Sequence, residues 1–297
     1  MERNRAFGEL GLVLVTVIWG STFIITKLGL GQFPPFTYLA IRFGLAFGVL
    51  MLLFGREVLQ AGKKTWLAGG LIGFILFLGF ATQTGGLQFT TAAKSGFITG
   101  LSVVLTPLMA AIFLKQKTSV NILVGAFTAF GGLSVLAYNP ELATGLNLGD
   151  FLTLLCALAF ACHIVAVAKF APDMSPGVFT TIQLGFAGLA CGLSSLLFEK
   201  WPVQATTWTW VGLIYMGILA TALVFFIQNW AQRYTSASRA ALIFTLEPVF
   251  TAIFAYFILK EPLGWRSLLG GGLILGGIII AETKWEKRSS GKQNVPN

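Results

Sequence analysis

Residues 89–94 read Phe-Thr-Thr-Ala-Ala-Lys, and residues 234–239, 145 positions later, read Tyr-Thr-Ser-Ala-Ser-Arg. The same shift lays Gln83 on Gln228 and Leu114-Lys115 on Leu259-Lys260. It also lays Gly125, Gly131 and Gly132 on Gly270, Gly276 and Gly277. One register held from Gln83 to Gly132 marks an internal repeat. The helices before it match less well in this register.

Working outward from the repeat, apolar runs bounded by charged or proline-containing breaks predict ten helices. They fall near 9–29, 36–54, 66–87, 92–114, 119–138, 149–170, 176–198, 208–231, 236–259 and 263–282. Each is close to the ~20 residues that cross a bilayer's hydrocarbon. Composition agrees. The 297 residues are 56% hydrophobic and only 10% charged, whereas a soluble domain carries about 25% charged residues. The expected fold class is an all-α membrane protein. Five spans per repeat is an odd number, so the second copy enters the membrane upside down. The expected domains are a first five-helix repeat (1–140), a second, inverted repeat (141–283) and a basic tail expected to be disordered (284–297).

Lys and Arg placement sets orientation. Arg3, Arg5, Arg56, Lys63, Lys64, Lys115, Lys117, Lys169, Arg233, Arg239 and the tail cations Lys284, Lys287, Arg288 and Lys292 share one side. Lys27, Lys94, Lys200, Lys260 and Arg266 share the other. Both termini are therefore expected in the cytoplasm, with the chain multi-pass in the cytoplasmic membrane. Arg3 and Arg5 precede an apolar run with no small-residue cleavage site, which reads as an uncleaved first helix. Trp66, Trp201, Trp208, Trp210, Trp230, Trp265 and Trp285 fall at or beyond span ends, as an aromatic belt does. Trp19 alone falls at mid-membrane.

Several functions are excluded. The +9 net charge is spread over short loops rather than gathered in a patch, so nucleic acid is not an expected partner. There is no Gly-x-x-x-x-Gly-Lys-Ser/Thr loop for ATP. One His and no Cys-x-x-Cys leave no expected metal site, and no cofactor is called for. Cys156, Cys162 and Cys191 lie in apolar segments and read as small hydrophobes. The expected partners are a small-molecule substrate and the lipid bilayer. A lipid-modifying membrane enzyme would need a catalytic cluster at one interface, whereas the single His and the deepest Glu lie on separate mid-membrane helices. An inverted repeat offers two ways to open, one to each side, which is what a secondary carrier requires. Gly69, Gly70 and Gly73, Gly125, Ala129 and Gly132, and Gly272 and Gly276 form small-residue faces. Such faces pack helices closely within one chain or between two copies, so a homodimer stays open.

Trp19-Gly20-Ser21-Thr22-Phe23, Arg42-Phe43, Leu246-Glu247-Pro248, the Leu-Lys-Glu ending at Glu261 and the following Gly276-Gly277 resemble EamA-type members of the drug/metabolite transporter superfamily. The order of these motifs across ten spans carries the resemblance over essentially the whole chain. It departs where the first half has Leu105-Thr106-Pro107 without a Glu, and Gln116 opposite Glu261. The resemblance implies a ten-helix inverted-repeat carrier, usually an exporter of amino acids, metabolites or drugs.

Charged and polar groups inside a membrane are costly and mark pathways or partners. Glu247 reads as a proton carrier or a counter-charge for a substrate amine; the structural alternative is a pair with Arg42. Arg42 can hold a carboxylate in a fork that Lys cannot make, or sit in a fixed salt bridge. His163 titrates near neutrality as a free side chain, but a lone buried His more often fills a polar gap. Trp19 can stack on substrate, with Ser21 and Thr22 supplying hydroxyls or bonding their own backbone. Thr99, Ser102 and Thr106 follow helical spacing and can line a polar stripe. Pro107 and Pro248 are candidate helix-bending points. One cation, one carboxyl and an aromatic surface suit an amphipathic zwitterion. A sugar-phosphate or nucleotide-sugar exchanger would need more cavity-facing cations.

Overall fold

The computed structural model describes residues 2–90, 92–116, 118–137, 147–200, 205–259 and 264–283. Thr91, Lys117, Trp201, Lys260, Glu261, Trp285, the 138–146 connection and the 284–297 tail lie outside the described residues, as does the side chain of Lys27. Eight helical stretches are long and apolar enough to cross a bilayer, and Trp265–Ala281 is a shorter apolar helix. The first span, interrupted at Ser21, completes ten among the described residues.

Seven spans are uninterrupted in direction: Pro35–Leu59, Lys63–Gly86, Val120–Ala137, Leu148–Phe170, Pro176–Phe198, the eighth from Thr207 to Ala231, and Trp265–Glu282. Local chemistry sets several starts. Pro35 and Pro176 open the second and seventh spans at the first turn, where a missing N–H costs nothing. Asn147 and Asp150 form a reciprocal capping box on the sixth.

Three spans are broken. The first is Glu2–Gly20 then Thr22–Leu30, the fourth Ala92–Thr99 then Ser102–Phe113, and the ninth Ala237–Phe244 then Glu247–Leu259. Tight i→i+3 bonds close the breaks: Ser21 N–H to Ile18 O, Val104 N–H to Leu101 O, and Leu246 N–H to Ile243 O. The sequence pattern predicts continuous first, fourth and ninth helices. The observed breaks fall at equivalent places of the two repeats, Gly100–Leu101 and Thr245–Leu246. Pro248 directly follows its break, but Pro107 lies inside the second half-helix of the fourth span.

The halves interdigitate. The most extensive helix contacts join the fifth span to the tenth, the second to the seventh, the third to the sixth and seventh, the fourth to the sixth, and the first to the eighth and ninth. Gly125 of the fifth span approaches the Gly277 carbonyl, and Gly132 approaches that of Gly270, so closely that a Cβ at either position would collide with the opposing backbone. The repeat register exchanges these two contacts, the mark of a pseudo-two-fold axis. The Gly125–Gly132 face is thus used within the chain, but its counterpart on the tenth span is Gly270 and Gly277 rather than the expected Gly272 and Gly276, where a Cβ would meet nothing within 4 Å. Large apolar side chains such as Leu52, Phe127, Leu197 and Leu268 cover the outside, as the surface facing lipid requires.

Candidate substrate site at the helix breaks

The eighth span changes winding mid-membrane. Thr207–Gly217 and Val224–Ala231 are α-helical, but Ile218–Leu223 is a π-turn. Such turns insert an extra residue, re-aim backbone groups and often mark functional sites. Here the Ala220 carbonyl accepts from Trp19 Nε1 at 3.1 Å and from a terminal nitrogen of Arg42 at 3.3 Å. Thr221 Oγ1 accepts from Arg42 Nε at 2.6 Å and donates to the Met216 carbonyl. One irregular turn thereby positions two of the residues that the sequence singles out.

Aromatic rings surround this point. The Arg42 guanidinium lies 5.0 Å from the centre of Phe80, a favourable placement for a cation. Trp19 packs against Phe225 and Phe244 at 5.7 and 5.4 Å. Glu247 follows Phe244 by three residues and begins the second half of the ninth span, where the positive end of a helix favours a carboxylate. Among the described residues, no ion pair within 4 Å joins Arg42 to Glu247. The fixed salt bridge that sequence reasoning allowed is thus not formed. Arg42 is buried without a carboxylate partner, and Glu247 is half-buried.

The remaining candidates divide. Ser21 bonds the Ile18 carbonyl and the Tyr215 hydroxyl, and Thr22 bonds the Trp19 carbonyl. Both support the break in the first span. His163 is buried, shares a 2.8 Å hydrogen bond with Gln183 and sets its ring edge-on to Phe225. Gln183 accepts from Asn229, which also donates to Thr180, so His163 belongs to a polar chain between the sixth, seventh and eighth spans. Thr99 faces Cys156 of the sixth span, and Thr106 bonds the Ser102 carbonyl. Thr99 and Ser102 flank the fourth-span break rather than touching Arg42. Among the described residues, no group of three or more His, Cys, Asp or Glu could hold a metal ion.

Sequence reasoning missed Phe80, Phe225, Gln183 and Thr221. A signal exists for the first three. Phe80 and Phe225 are 145 positions apart, and the Trp19–Phe225 contact is matched by Phe160 against Phe80 at 5.3 Å. Arg42 and Gln183 are 141 apart, as are Pro35 and Pro176, Gly44 and Gly185, and Ala46 and Ala187. The first two spans of each repeat follow this second register.

Comparison with known proteins agrees with the architecture. Residues 6–138 and 147–283 each match the EamA-like transporter family. The chain belongs to that family. An uncharacterized transporter of Archaeoglobus fulgidus is 34% identical over 281 residues, covering 95% of this chain and 87% of the relative. The uncharacterized transporter YyaM of Bacillus subtilis is 26% identical, covering 90% of each chain. A crystal structure of a protein 20% identical in sequence superposes with a TM-score of 0.80, covering 93% of this transporter and 96% of that chain. It shares the fold. Discontinuous spans at matching places in the two repeats are where transporters of inverted-repeat design build substrate sites.

Proposed function

We propose that this transporter exports a small amphipathic zwitterion, such as an amino acid, across the cytoplasmic membrane by alternating access. The face bearing both termini is the cytoplasmic one, following the Lys and Arg distribution. Arg42 carries the reading. It is a buried guanidinium at mid-membrane whose hydrogen bonds go to a hydroxyl and a carbonyl, with no carboxylate closing the charge. An uncompensated charge there is costly, and a substrate carboxylate would offset it. Glu247 faces the opposite task as partner for a substrate amine or a proton. Trp19 and Phe244 supply the apolar wall, and Thr99 and Ser102 line the approach from the fourth-span break.

Counterflow in proteoliposomes, with a panel of labelled amino acids, amines and sugar phosphates, tests this. Saturable exchange of an amino acid is expected, falling about a hundredfold in R42A, the cost scale of an unpaired buried charged partner. E247Q is expected to retain exchange but lose dependence on an imposed pH gradient. Sugar-phosphate exchange with R42A unaffected would overturn the reading.

A further inference from the structure

Two ion clusters outside the substrate site occupy opposite ends of the molecule. Between the third and fourth spans, Thr90 Oγ1 donates to Asp150 at 2.8 Å, and Lys94 Nζ pairs with the other carboxylate oxygen. Between the eighth and ninth spans, Thr235 Oγ1 donates to Glu9 at 3.2 Å, and Arg239 pairs with Glu9 at 3.5 Å. The repeats exchange these clusters member by member. Thr90 corresponds to Thr235 and Lys94 to Arg239 in the 145 register, and Glu9 corresponds to Asp150 in the 141 register. Five spans separate the two, so they face opposite sides of the membrane.

Each cluster ties the same structural part. Lys94 lies on the short half-helix Ala92–Thr99, and Arg239 on Ala237–Phe244. Both half-helices end at the equivalent breaks of the two repeats, and the second ends on Phe244, which packs against Trp19. Each is held to the first helix of the other repeat, the sixth span through Asp150 and the first span through Glu9. Releasing one tie frees a half-helix to swing at its break on one face only.

We propose that Thr90–Lys94–Asp150 and Thr235–Arg239–Glu9 are the two gates of the transport cycle, each closing one face and opened in turn. The gates are unequal. Asp150 has a 2% exposed side chain that also caps its own helix, and Lys94 is 16% exposed. Glu9 and Arg239 are 20% and 19% exposed, and Glu9 shares its charge with Arg5 at 2.9 Å. Water weakens the second tie more than the first. The empty transporter therefore rests closed at the Lys94 face and opens more readily at the face bearing the N-terminus.

The inference rests on the alternating-access reading, and the test separates the two without needing a substrate. A single S102C reporter at the fourth-span break, in a C156A/C162A/C191A background, is labelled with a membrane-impermeant thiol reagent from each face of oriented vesicles. With intact gates, labelling is expected from both faces and faster from the N-terminal one. K94Q should raise labelling from the opposite face about fivefold or more, a typical coupling between conformational states, and lower it from the N-terminal face. R239Q should do the reverse. T90V, which keeps both charges, should shift labelling in the K94Q direction, and K94R should match the parent. Parallel changes at both faces, or none, would overturn the gates while leaving alternating access standing. A reporter reached from one face alone in the parent and both variants would overturn the alternating-access reading and the gates with it.

Discussion

Arg42 shows what a single residue reveals before and after its surroundings are known. A lone guanidinium between Ile41 and Phe43 is conspicuous in an apolar run, as is a tryptophan away from any interface. Their common acceptor, the Ala220 carbonyl, has no sequence signature because every residue carries one. Nor does a π-turn announce itself in an apolar stretch such as Ile218–Leu223. Thr221 is the residue on which this matters most. Its hydroxyl fixes Arg42 Nε at 2.6 Å, and hydrogen bonds to charged groups contribute about 1.5–3 kcal/mol. T221V should lower the melting temperature of the purified transporter by several degrees and weaken substrate affinity, whereas T221S should restore both. R42K should keep the fold and most of its stability. It should lose at least tenfold in exchange of carboxylate substrates, since an ammonium cannot reproduce a two-pronged contact. Equal exchange by R42K and the parent would mean that the charge alone, not the fork, is used.

Among the elements, the glycines of the fifth and tenth spans separate packing from mere composition. The sequence aligns Gly125, Gly131 and Gly132 with Gly270, Gly276 and Gly277, and its spacing reads Gly272 and Gly276 as the packing pair of the tenth span. In the structure Gly125, Gly132, Gly270 and Gly277 face the opposing backbone, while a Cβ at Gly131 or Gly276 would meet nothing within 4 Å. Backbone cannot retreat as a side-chain tip can, and overpacking a tight contact costs about 1–3 kcal/mol or more. G132V and G277V should therefore greatly reduce the monodisperse fraction on size-exclusion chromatography. G131A and G276A should leave it unchanged. The broken helices teach the complementary lesson. Pro248 marks a real break, but Gly100–Leu101 interrupts the fourth span ahead of Pro107, because three-residue turns form wherever neighbouring helices supply partners for the freed groups.

At the scale of the whole molecule, the ten spans and the repeat were legible, since membrane thickness and lipid exclusion leave few options for an apolar chain. How the repeats meet was not. The third to fifth spans repeat at 145 positions and the first two at 141, because more residues separate Phe198 from Thr207 than separate Leu59 from Lys63. Only with both registers in hand do Arg42 and Gln183, or Glu9 and Asp150, become partners. The repeats are units of sequence that pack through each other. The second span lies on the seventh and the fifth on the tenth, with few contacts inside either half. Neither half alone buries the glycine seam, supplies the Ala220 and Thr221 acceptors of Arg42 or forms either ion cluster. A chain cut within the 138–146 connection should consequently yield two fragments that are each degraded when expressed singly. Expressed together, they should assemble, co-purify without a covalent link and recover exchange activity. Stable accumulation of either fragment alone as a folded monomer would show that a repeat can satisfy its own helix faces. The pseudo-symmetric contacts would then be later additions to two self-sufficient bundles rather than the source of the fold.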